Sequence, residues 1–189
     1  GEESLQAIER TADRILAEVG IDFRDDDAAL DLWKNAGARI DGRRVRFEPG
    51  MLREILKSAP REFTQHARNP ANAVQIGGRN VVFSPAYGSP FGMDRDRGRR
   101  FGTLEGFQNF IKLAQSSPWF HHSGGTICEP TDIPVNKRHL DMVYSHMRYS
   151  DRAFMGSGTA EERSEDSIEM CRILFGAGFV DQNCVILGN

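Results

Sequence analysis

The sequence predicts an α/β fold, because short apolar segments alternate with stretches of helical periodicity over its second part. The apolar segments are centred near residues 82, 125, 155 and 186, and one predicted helix separates each from the next. Spacings of about 30 to 40 residues are typical of parallel strands joined by right-handed crossovers. Such units build either a doubly wound open sheet or a (β/α)8 barrel. No GxGxxG motif follows any segment, which weakens the dinucleotide-binding version and leaves the TIM barrel as the predicted architecture.

About four of the eight barrel strands are predicted within this chain. A complete barrel takes about 250 residues, whereas this chain has 189. A last strand near residue 186 would leave an open parallel edge and one uncovered apolar face. We therefore expect the chain to be the N-terminal part of a longer protein and to be inactive alone. A complete small α/β domain, or a half-barrel that pairs with a second copy, is the alternative.

Residues 1–78 are predicted to form a small α+β segment that precedes the barrel. Apolar residues recur at helical spacing over residues 5–19, and a second helix is expected over residues 27–36. The Asp41-Gly42 pair, between alternating residues, indicates a β-hairpin. A short third helix is expected to follow, and after it two strands separated by an Asn-Pro turn.

These last elements of the first segment have definite predicted bounds. The third helix is expected to begin its first turn at Pro49 and to end before Pro60. The two strands are expected over residues 63–68 and 73–76. Proline and paired glycines mark the ends of these elements.

Residues 79–189 are predicted to form the first half of the barrel. The predicted strands cover residues 81–85, 122–128, 153–157 and 184–187. The predicted helices cover residues 103–115, residues 134–149 and a stretch that begins at Thr159. The stretch 87–102, rich in Gly, Pro and Arg, is predicted to be a loop. Thr103 and Thr159 are the predicted helix N-caps.

Composition excludes several classes of protein. A formal net charge of −3, with 39% hydrophobic and 27% charged residues, argues against a disordered chain and against a general nucleic-acid binder. No apolar run approaches the roughly 20 residues of a membrane span. The three cysteines form no CxxC pair, so we expect free thiols in a cytoplasmic protein. No HExxH pattern occurs among the five histidines, and no bound metal is predicted.

Several short motifs occur in order along nearly the whole chain. They are SAPREFTQHARNP over 58–70, GTL over 102–104, NFIKLA over 109–114, SGGT over 123–126, EP over 129–130, DIPVN over 132–136, HLDM over 139–142 and FMGS over 154–157. Taken together, the motifs resemble the trimethylamine methyltransferase family of corrinoid-dependent methyltransferases, which includes the non-pyrrolysine glycine betaine methyltransferases. The resemblance implies a (β/α)8 barrel preceded by an N-terminal helical and β segment, in agreement with the pattern of elements above.

The resemblance also implies an activity. Members move a methyl group from a tertiary or quaternary amine, trimethylamine or a glycine betaine-like compound, to a corrinoid (cobalamin) carried on a partner protein. The enzyme then has to hold the amine in line with cobalt and exclude water. A different TIM-barrel enzyme and a non-catalytic quaternary-amine-binding protein are the alternatives. A homo-oligomer is compatible with the sequence.

Candidate site residues follow from the rule that barrel active sites lie at the C-terminal ends of the strands. An aromatic wall and a carboxylate suit a methylated cation without N–H donors, and the substrate-binding candidates are Tyr87, Phe91 and Glu129. Small residues admit a large flat corrinoid close to the backbone, and the cofactor-binding candidates are Gly124, Gly125, Gly156 and Ser157. The fourth strand would contribute Gly188 and Asn189. The arginine-rich loop over 95–100 is a contact for phosphate or for an acidic corrinoid protein, or else a solvated turn with internal charge pairs, which we favour.

Overall fold

The computed structural model describes residues 1–188, so the predicted contribution of Asn189 lies outside the described residues. The chain divides after Pro60 into two compact units. The first unit contains, in chain order, α1 Glu2–Glu18, β1 Ile21–Asp22, α2 Asp27–Asn35, β2 Arg39–Asp41, β3 Arg44–Arg46 and α3 Met51–Leu56. The helices and the hairpin predicted for this region are therefore confirmed.

A small antiparallel sheet organises the first unit. Strand β3 pairs with β1 and with β2. The turn between β2 and β3 contains Gly42 at a φ of 58°, which is the left-handed backbone that Asp-Gly hairpins require. Val45 and Phe47 are buried beside this sheet, and the Trp33 ring meets Phe47 edge-on with ring centroids 4.9 Å apart. This apolar cluster supplies the core that holds α1 and α2 on the strands.

The second unit begins at Arg61. Its elements are β4 Glu62–Gln65, a 3-10 helix Pro70–Asn72, β5 Val74–Gly77, β6 Phe91–Asp94, β7 Gly98–Phe101, α4 Leu104–Ser116, α5 Arg138–Tyr149, β8 Phe154–Gly156, α6 Glu161–Phe175, α7 Ala177–Val180 and β9 Ile186–Gly188. Strands β4 and β5 form an antiparallel hairpin. We grouped this hairpin with residues 1–78 from the sequence, whereas it lies in the second unit. The reason is tertiary: the His66 N–H donates to the Cys184 carbonyl over 2.8 Å.

The segments predicted as the second, third and fourth barrel strands lie side by side and run parallel. Strand β8 pairs with β9 in parallel over three residues. The Ser123 N–H donates to the Ala153 carbonyl over 2.8 Å, and the Met155 N–H donates to the Gly124 carbonyl over 2.9 Å. Helix α5 follows the first of these segments and α6 follows the second, which is the order of a repeated βα unit.

Part of the predicted sheet has less regular pairing than expected. Within the described chain, residues 81–85 form no strand. The strand predicted over residues 122–128 is limited to single parallel bridges at His122 and Cys128. Gly124, at a φ of 97°, interrupts the extended backbone between these bridges, so a continuous ladder cannot form there.

The predicted loop over residues 87–102 instead contains a β-hairpin. Strands β6 and β7 pair in antiparallel register, and the rings of Phe91 and Phe101 lie opposite each other with centroids 4.8 Å apart. The Asp94 side chain accepts the backbone N–H of Arg97 over 2.7 Å and closes the turn. The loop prediction was wrong because it relied on the Gly, Pro and Arg content of this stretch. The pairing of Phe91 with Phe101 across the hairpin leaves no pattern along the sequence.

Helix boundaries in the second unit depend on their caps. Thr103 caps α4 as predicted, since its Oγ1 accepts the Gly106 N–H over 3.1 Å. The predicted cap at Thr159 is wrong, because α6 begins after Ala160. The Thr159 hydroxyl instead accepts a hydrogen bond from Arg163 Nη1 over 3.0 Å, so it contacts the side chain of the first helical turn.

A buried apolar cluster fixes α5 and α6 against the parallel segments. Val143 of α5 and Cys171 of α6 pack with Phe154 of β8 and with Val185. All four side chains are almost fully buried. Burying each of the larger ones contributes roughly 1.5 to 3 kcal/mol. The cluster holds the middle of α5 and the second half of α6 against β8, and the candidate site lies at the end of β8.

Candidate functional site

The ends of two parallel segments and the first turns of two helices enclose one cavity of about 160 Å³. Its walls come from the residues that follow the Ser123–Gly124 segment, from the start of α5, from the end of β8 and from the start of α6. The cavity is smaller than the roughly 300 to 1,000 Å³ of pockets for drug-sized ligands. It therefore suits a small ligand at the C-terminal ends of the strands, which is where the barrel rule places a site.

Four of the candidates from the sequence line this cavity: Gly125, Glu129, Gly156 and Ser157. The packing around Gly156 explains why glycine is present there. A Cβ at this position would lie 2.5 Å from Ile186 Cδ1 and 3.0 Å from Ser167 Cβ. A larger residue would force Ile186 and Ser167 to shift, so the close approach of β8 to its neighbours favours glycine independently of any ligand.

The aromatic candidates lie outside the lining of this cavity. Tyr87 is exposed, and the N–H of the next residue, Gly88, donates to the Thr126 carbonyl over 2.8 Å. Tyr87 therefore precedes a residue that is hydrogen-bonded to Thr126 in the cavity wall. Phe91 lies in β6, where the Arg99 guanidinium carbon stands 3.7 Å from the ring centroid. One face of Phe91 already carries a cation, and an aromatic wall formed by these two rings stays a prediction.

Glu129 is paired within the site. Its carboxylate forms an ion pair with the guanidinium of Arg138. Two other nitrogens of Arg138, Nε and Nη2, donate to the Ile133 carbonyl over 3.3 and 3.0 Å. The Arg138 side chain is only 13% exposed, so its charge depends on Glu129 for compensation. The two opposite charges cancel, and Glu129 adds little net negative charge to the cavity.

Two buried histidines hold the backbone that forms the floor of the site. His146 Nε2–H donates to the Gly125 carbonyl over 2.9 Å, and its Nδ1 accepts the Ser123 hydroxyl over 2.7 Å. Burial lowers the pKa of His146 to about 4, so the ring is neutral near pH 7. The Ser123–His146 pair is fully enclosed and its Nε2 proton is held by a carbonyl, so it is not arranged as a nucleophile and base.

His122, the residue before Ser123, also holds the backbone of this segment. Its Nδ1 accepts the Gly124 N–H over 2.9 Å, and its Nε2–H donates to Gln65 Oε1 over 3.2 Å. Gln65 in turn donates to the Phe154 carbonyl over 2.8 Å. Burial lowers the pKa of His122 to about 4. This chain of hydrogen bonds fixes the segment before the cavity, and no sequence motif revealed it.

His139 and Arg163 are two of the several lining residues that were not site candidates from the sequence. His139 Nε2 bonds to Asp166 Oδ2 over 2.7 Å, and within residues 1–188 the buried Nδ1 has no hydrogen-bond partner. Arg163 is half-buried and uses Nη1 for the hydroxyl of Thr159. Helical spacing places these residues on a helix but does not say which of them face a cavity.

The described residues give no indication of metal or thiol chemistry. Among residues 1–188, no three His, Cys, Asp or Glu side chains are grouped to hold a metal ion. The three cysteines are free thiols, and burial raises the pKa of Cys171 to about 12, which suppresses the thiolate. None of the helices in this part of the chain has both the length and the apolar character needed to cross a membrane.

Comparison with known proteins defines the class of this chain. The family model described as trimethylamine methyltransferase (MTTB) matches residues 1–189. The chain therefore belongs to the trimethylamine methyltransferase family, and the resemblance noted from its motifs is confirmed.

Two curated relatives are informative. The chain is 48% identical over 175 residues to the glycine betaine methyltransferase of Desulfitobacterium hafniense (strain Y51), covering 93% of this chain and 36% of the relative. It is 27% identical over 150 residues to the proline betaine:corrinoid methyltransferase of Eubacterium limosum, covering 76% of this chain and 30% of the relative. The chain thus spans about a third of the length of the curated relatives it matches.

Proposed function

We propose that the whole protein transfers a methyl group from a tertiary or quaternary amine to a corrinoid carried on a partner protein. The observation that carries this proposal is the family match over residues 1–189. The names of the two relatives, a glycine betaine methyltransferase and a proline betaine:corrinoid methyltransferase, support the choice of amine and methyl acceptor. In the reaction the C–N bond breaks and its electron pair stays on the nitrogen of the demethylated amine.

The cavity suits the amine and not the corrinoid. Its volume of about 160 Å³ is far below that of a corrin ring, whereas a small methylated amine fits. Val135, Met142 and Met155 supply apolar contacts for methyl groups. A quaternary ammonium has no N–H to donate, so apolar contacts of this kind are what hold its methyl groups. The corrinoid is the partner's group and acts as the methyl acceptor.

The residues around the cavity position the amine and exclude water. The hydrogen bonds of His146 to Ser123 and Gly125 fix the floor, and the ion pair of Arg138 with Glu129 fixes one wall. A rigid site lowers the entropic cost of bringing the methyl carbon to its acceptor. The transfer needs no nucleophile from the enzyme when the acceptor is itself nucleophilic.

We also propose that residues 61–188 belong to a (β/α)8 barrel completed by a longer chain. The parallel pairing of β8 with β9, and the hydrogen bonds from Ser123 and Met155 on either side of the preceding segment, support this architecture. Because the remaining strands would supply the rest of the mouth, the chain of 189 residues is expected to be inactive alone.

The test uses the whole protein with a reduced corrinoid protein. Glycine betaine, proline betaine and trimethylamine are added in turn, and the absorbance change from Co(I) to methylated cobalt is followed. We expect methyl transfer from at least one of these amines by the whole protein and none by residues 1–189. Binding of an amine without methyl transfer would instead identify a binding protein, and measurable transfer by residues 1–189 would contradict the expected dependence on a longer chain.

A further inference from the structure

The lining of the cavity contains two arginines with different surroundings. The charge of Arg138 is balanced by Glu129. Arg163 has no carboxylate within ion-pair distance among residues 1–188, and the one hydrogen bond of its side chain in this part of the chain goes to the neutral hydroxyl of Thr159. A guanidinium has five N–H donors. Most of the donors of Arg163 are therefore available to a ligand in a half-buried wall.

Among the charged side chains that line the cavity, Arg163 is the one without a paired carboxylate in residues 1–188, because Arg138 pairs with Glu129. The carboxylate of Asp166, which is outside the lining, is bonded to His139. The Arg163 guanidinium stays protonated and therefore carries one full charge in the wall. A simple trialkylammonium cation gains nothing electrostatically from such a wall. A zwitterion with a carboxylate is favoured, since the carboxylate compensates Arg163 while its methyl groups contact the methionines of the lining.

A second observation also points to a bound molecule. His139 is only 7% exposed and lines the same cavity. Its Nε2 is held by Asp166 over 2.7 Å, while Nδ1 has no hydrogen-bond partner within residues 1–188. Buried polar atoms of this kind are nearly always paired in native proteins. In the tautomer whose Nε2–H donates to Asp166, Nδ1 is an acceptor, so a water held between Nδ1 and the carboxylate of the ligand would complete its hydrogen bonding.

We propose that Arg163 is the carboxylate anchor of the site and restricts its substrates to betaines, that is, N-methylated amines that carry a carboxylate. This inference rests on the proposed function and deepens it, because it chooses a betaine over trimethylamine. The Thr159 hydroxyl is the positioning group that holds the guanidinium, through its hydrogen bond to Nη1.

The test compares ligands that differ in one charge at nearly constant shape. The probes are glycine betaine, 3,3-dimethylbutanoate, in which carbon replaces the charged nitrogen, and choline, in which a hydroxymethyl group replaces the carboxylate. Dissociation constants are measured by calorimetry for the whole protein and for Arg163→Gln, Arg163→Lys and Arg172→Gln. Arg172 lies on the same helix, where it pairs with Asp181 over 2.9 Å, and serves as the matched control.

Loss of a charge-assisted, forked hydrogen bond weakens binding by about 10- to 100-fold. We expect Arg163→Gln to raise the dissociation constants of glycine betaine and 3,3-dimethylbutanoate by this factor. The dissociation constant of choline should change by no more than about twofold. Arg163→Lys should recover part of the loss, because it keeps the charge but not the fork, and Arg172→Gln should change none of the three. Thermal unfolding followed by circular dichroism checks that each variant is folded.

The outcomes separate this inference from the proposed function. If Arg163→Gln weakens the binding of choline as much as that of glycine betaine, or weakens the binding of neither, the carboxylate anchor is refuted even if the protein transfers methyl groups. If no amine is demethylated but 3,3-dimethylbutanoate binds in a manner that depends on Arg163, the carboxylate site stands and the methyl-transfer proposal falls. Should Arg163→Gln fail to fold, the Arg163→Lys variant decides, because equal losses for glycine betaine and choline there would refute the anchor.

Discussion

Acidification is expected to destabilise the second unit through His146. The pKa of His146 falls from 6.5 to about 4 on folding because the ring is buried, so the native state binds a proton less readily than the unfolded chain. Stability is therefore fully present above pH 6.5, declines as the pH falls towards 4, and changes no further below that value. The complete loss amounts to about 3 kcal/mol at 1.36 kcal/mol per pKa unit, of which about 2 kcal/mol is lost by pH 5.

Hydrogen exchange at single amides measures this effect where it arises. The N–H groups of Ser123 and Met155 are bonded across the parallel segments. Their protection factors, corrected for intrinsic exchange, should fall about 30-fold or more between pH 7.5 and pH 5, since 1.4 kcal/mol corresponds to a factor of 10. The drop should be larger than His146 alone causes, because burial also lowers the pKa of His122 to about 4.

A variant separates the histidine from other acid effects. His146→Gln removes the titration, and at pH 7.5 it should cost about 1 to 3 kcal/mol of unfolding free energy because the buried Ser123 hydroxyl and Gly125 carbonyl lose well-placed partners. Between pH 6.5 and pH 4 its protection factors should vary less steeply with pH than those of the wild type. The difference in slope should correspond to the uptake of about one proton fewer on unfolding. His121→Gln, at an exposed position, is the control and should keep the wild-type slope. An equal pH dependence in wild type and His146→Gln would refute the reasoning.

Three further predictions follow from packing, capping and burial. Gly156→Ala should lower the free energy of unfolding in urea by about 1 to 3 kcal/mol, because the added Cβ would lie 2.5 Å from Ile186 Cδ1. Gly178→Ala, where nothing lies within 4 Å, is its control, and equal effects of the two would contradict the packing argument. Thr103→Ala should cost about 1 kcal/mol through loss of the α4 cap, while serine at that position should restore it; no difference between alanine and serine in thermal unfolding would argue against the cap. Cys171 should resist iodoacetamide at pH 8 in the native state, since burial raises the pKa of its thiol to about 12, and rapid labelling detected by mass spectrometry would show that the thiol is accessible.

Local elements were predictable because neighbouring residues along the chain determine them. The Thr103 cap, the Asp41-Gly42 hairpin turn and the bounds of α2 depend on contacts within a few residues, and the structure confirms them. The prediction of a cap at Thr159 was wrong because a threonine hydroxyl can also accept a hydrogen bond from a side chain, which here is that of Arg163. The hairpin over 91–101 was missed because its pairing depends on strands brought together across a charged turn.

The candidate site was predictable to the extent that a positional rule applies. Among the candidates selected by the rule that sites lie at strand ends, Gly125, Glu129, Gly156 and Ser157 line the cavity. Tyr87, Phe91 and Gly124, which the same rule selected, lie outside that lining. The rule could not select Arg163, because a helix of mixed polar residues does not reveal which side chain faces inward. The ion pair that neutralises Glu129 was equally hidden, since its partner Arg138 is nine residues away and meets it only after the chain turns back.

From its residue order alone, this protein was assignable to a methyltransferase family. The same residue order predicted an α/β class and a set of strand ends where we propose that a ligand binds. Hydrophobic periodicity and short motifs are properties of neighbouring residues, so they can be recognised from the sequence without a structure. Only the tertiary structure decided which charges cancel, which histidines stay neutral and which guanidinium is left for a ligand. Those properties depend on burial and on distances of about 3 Å between groups far apart in the chain, and electrostatic energy changes steeply with both.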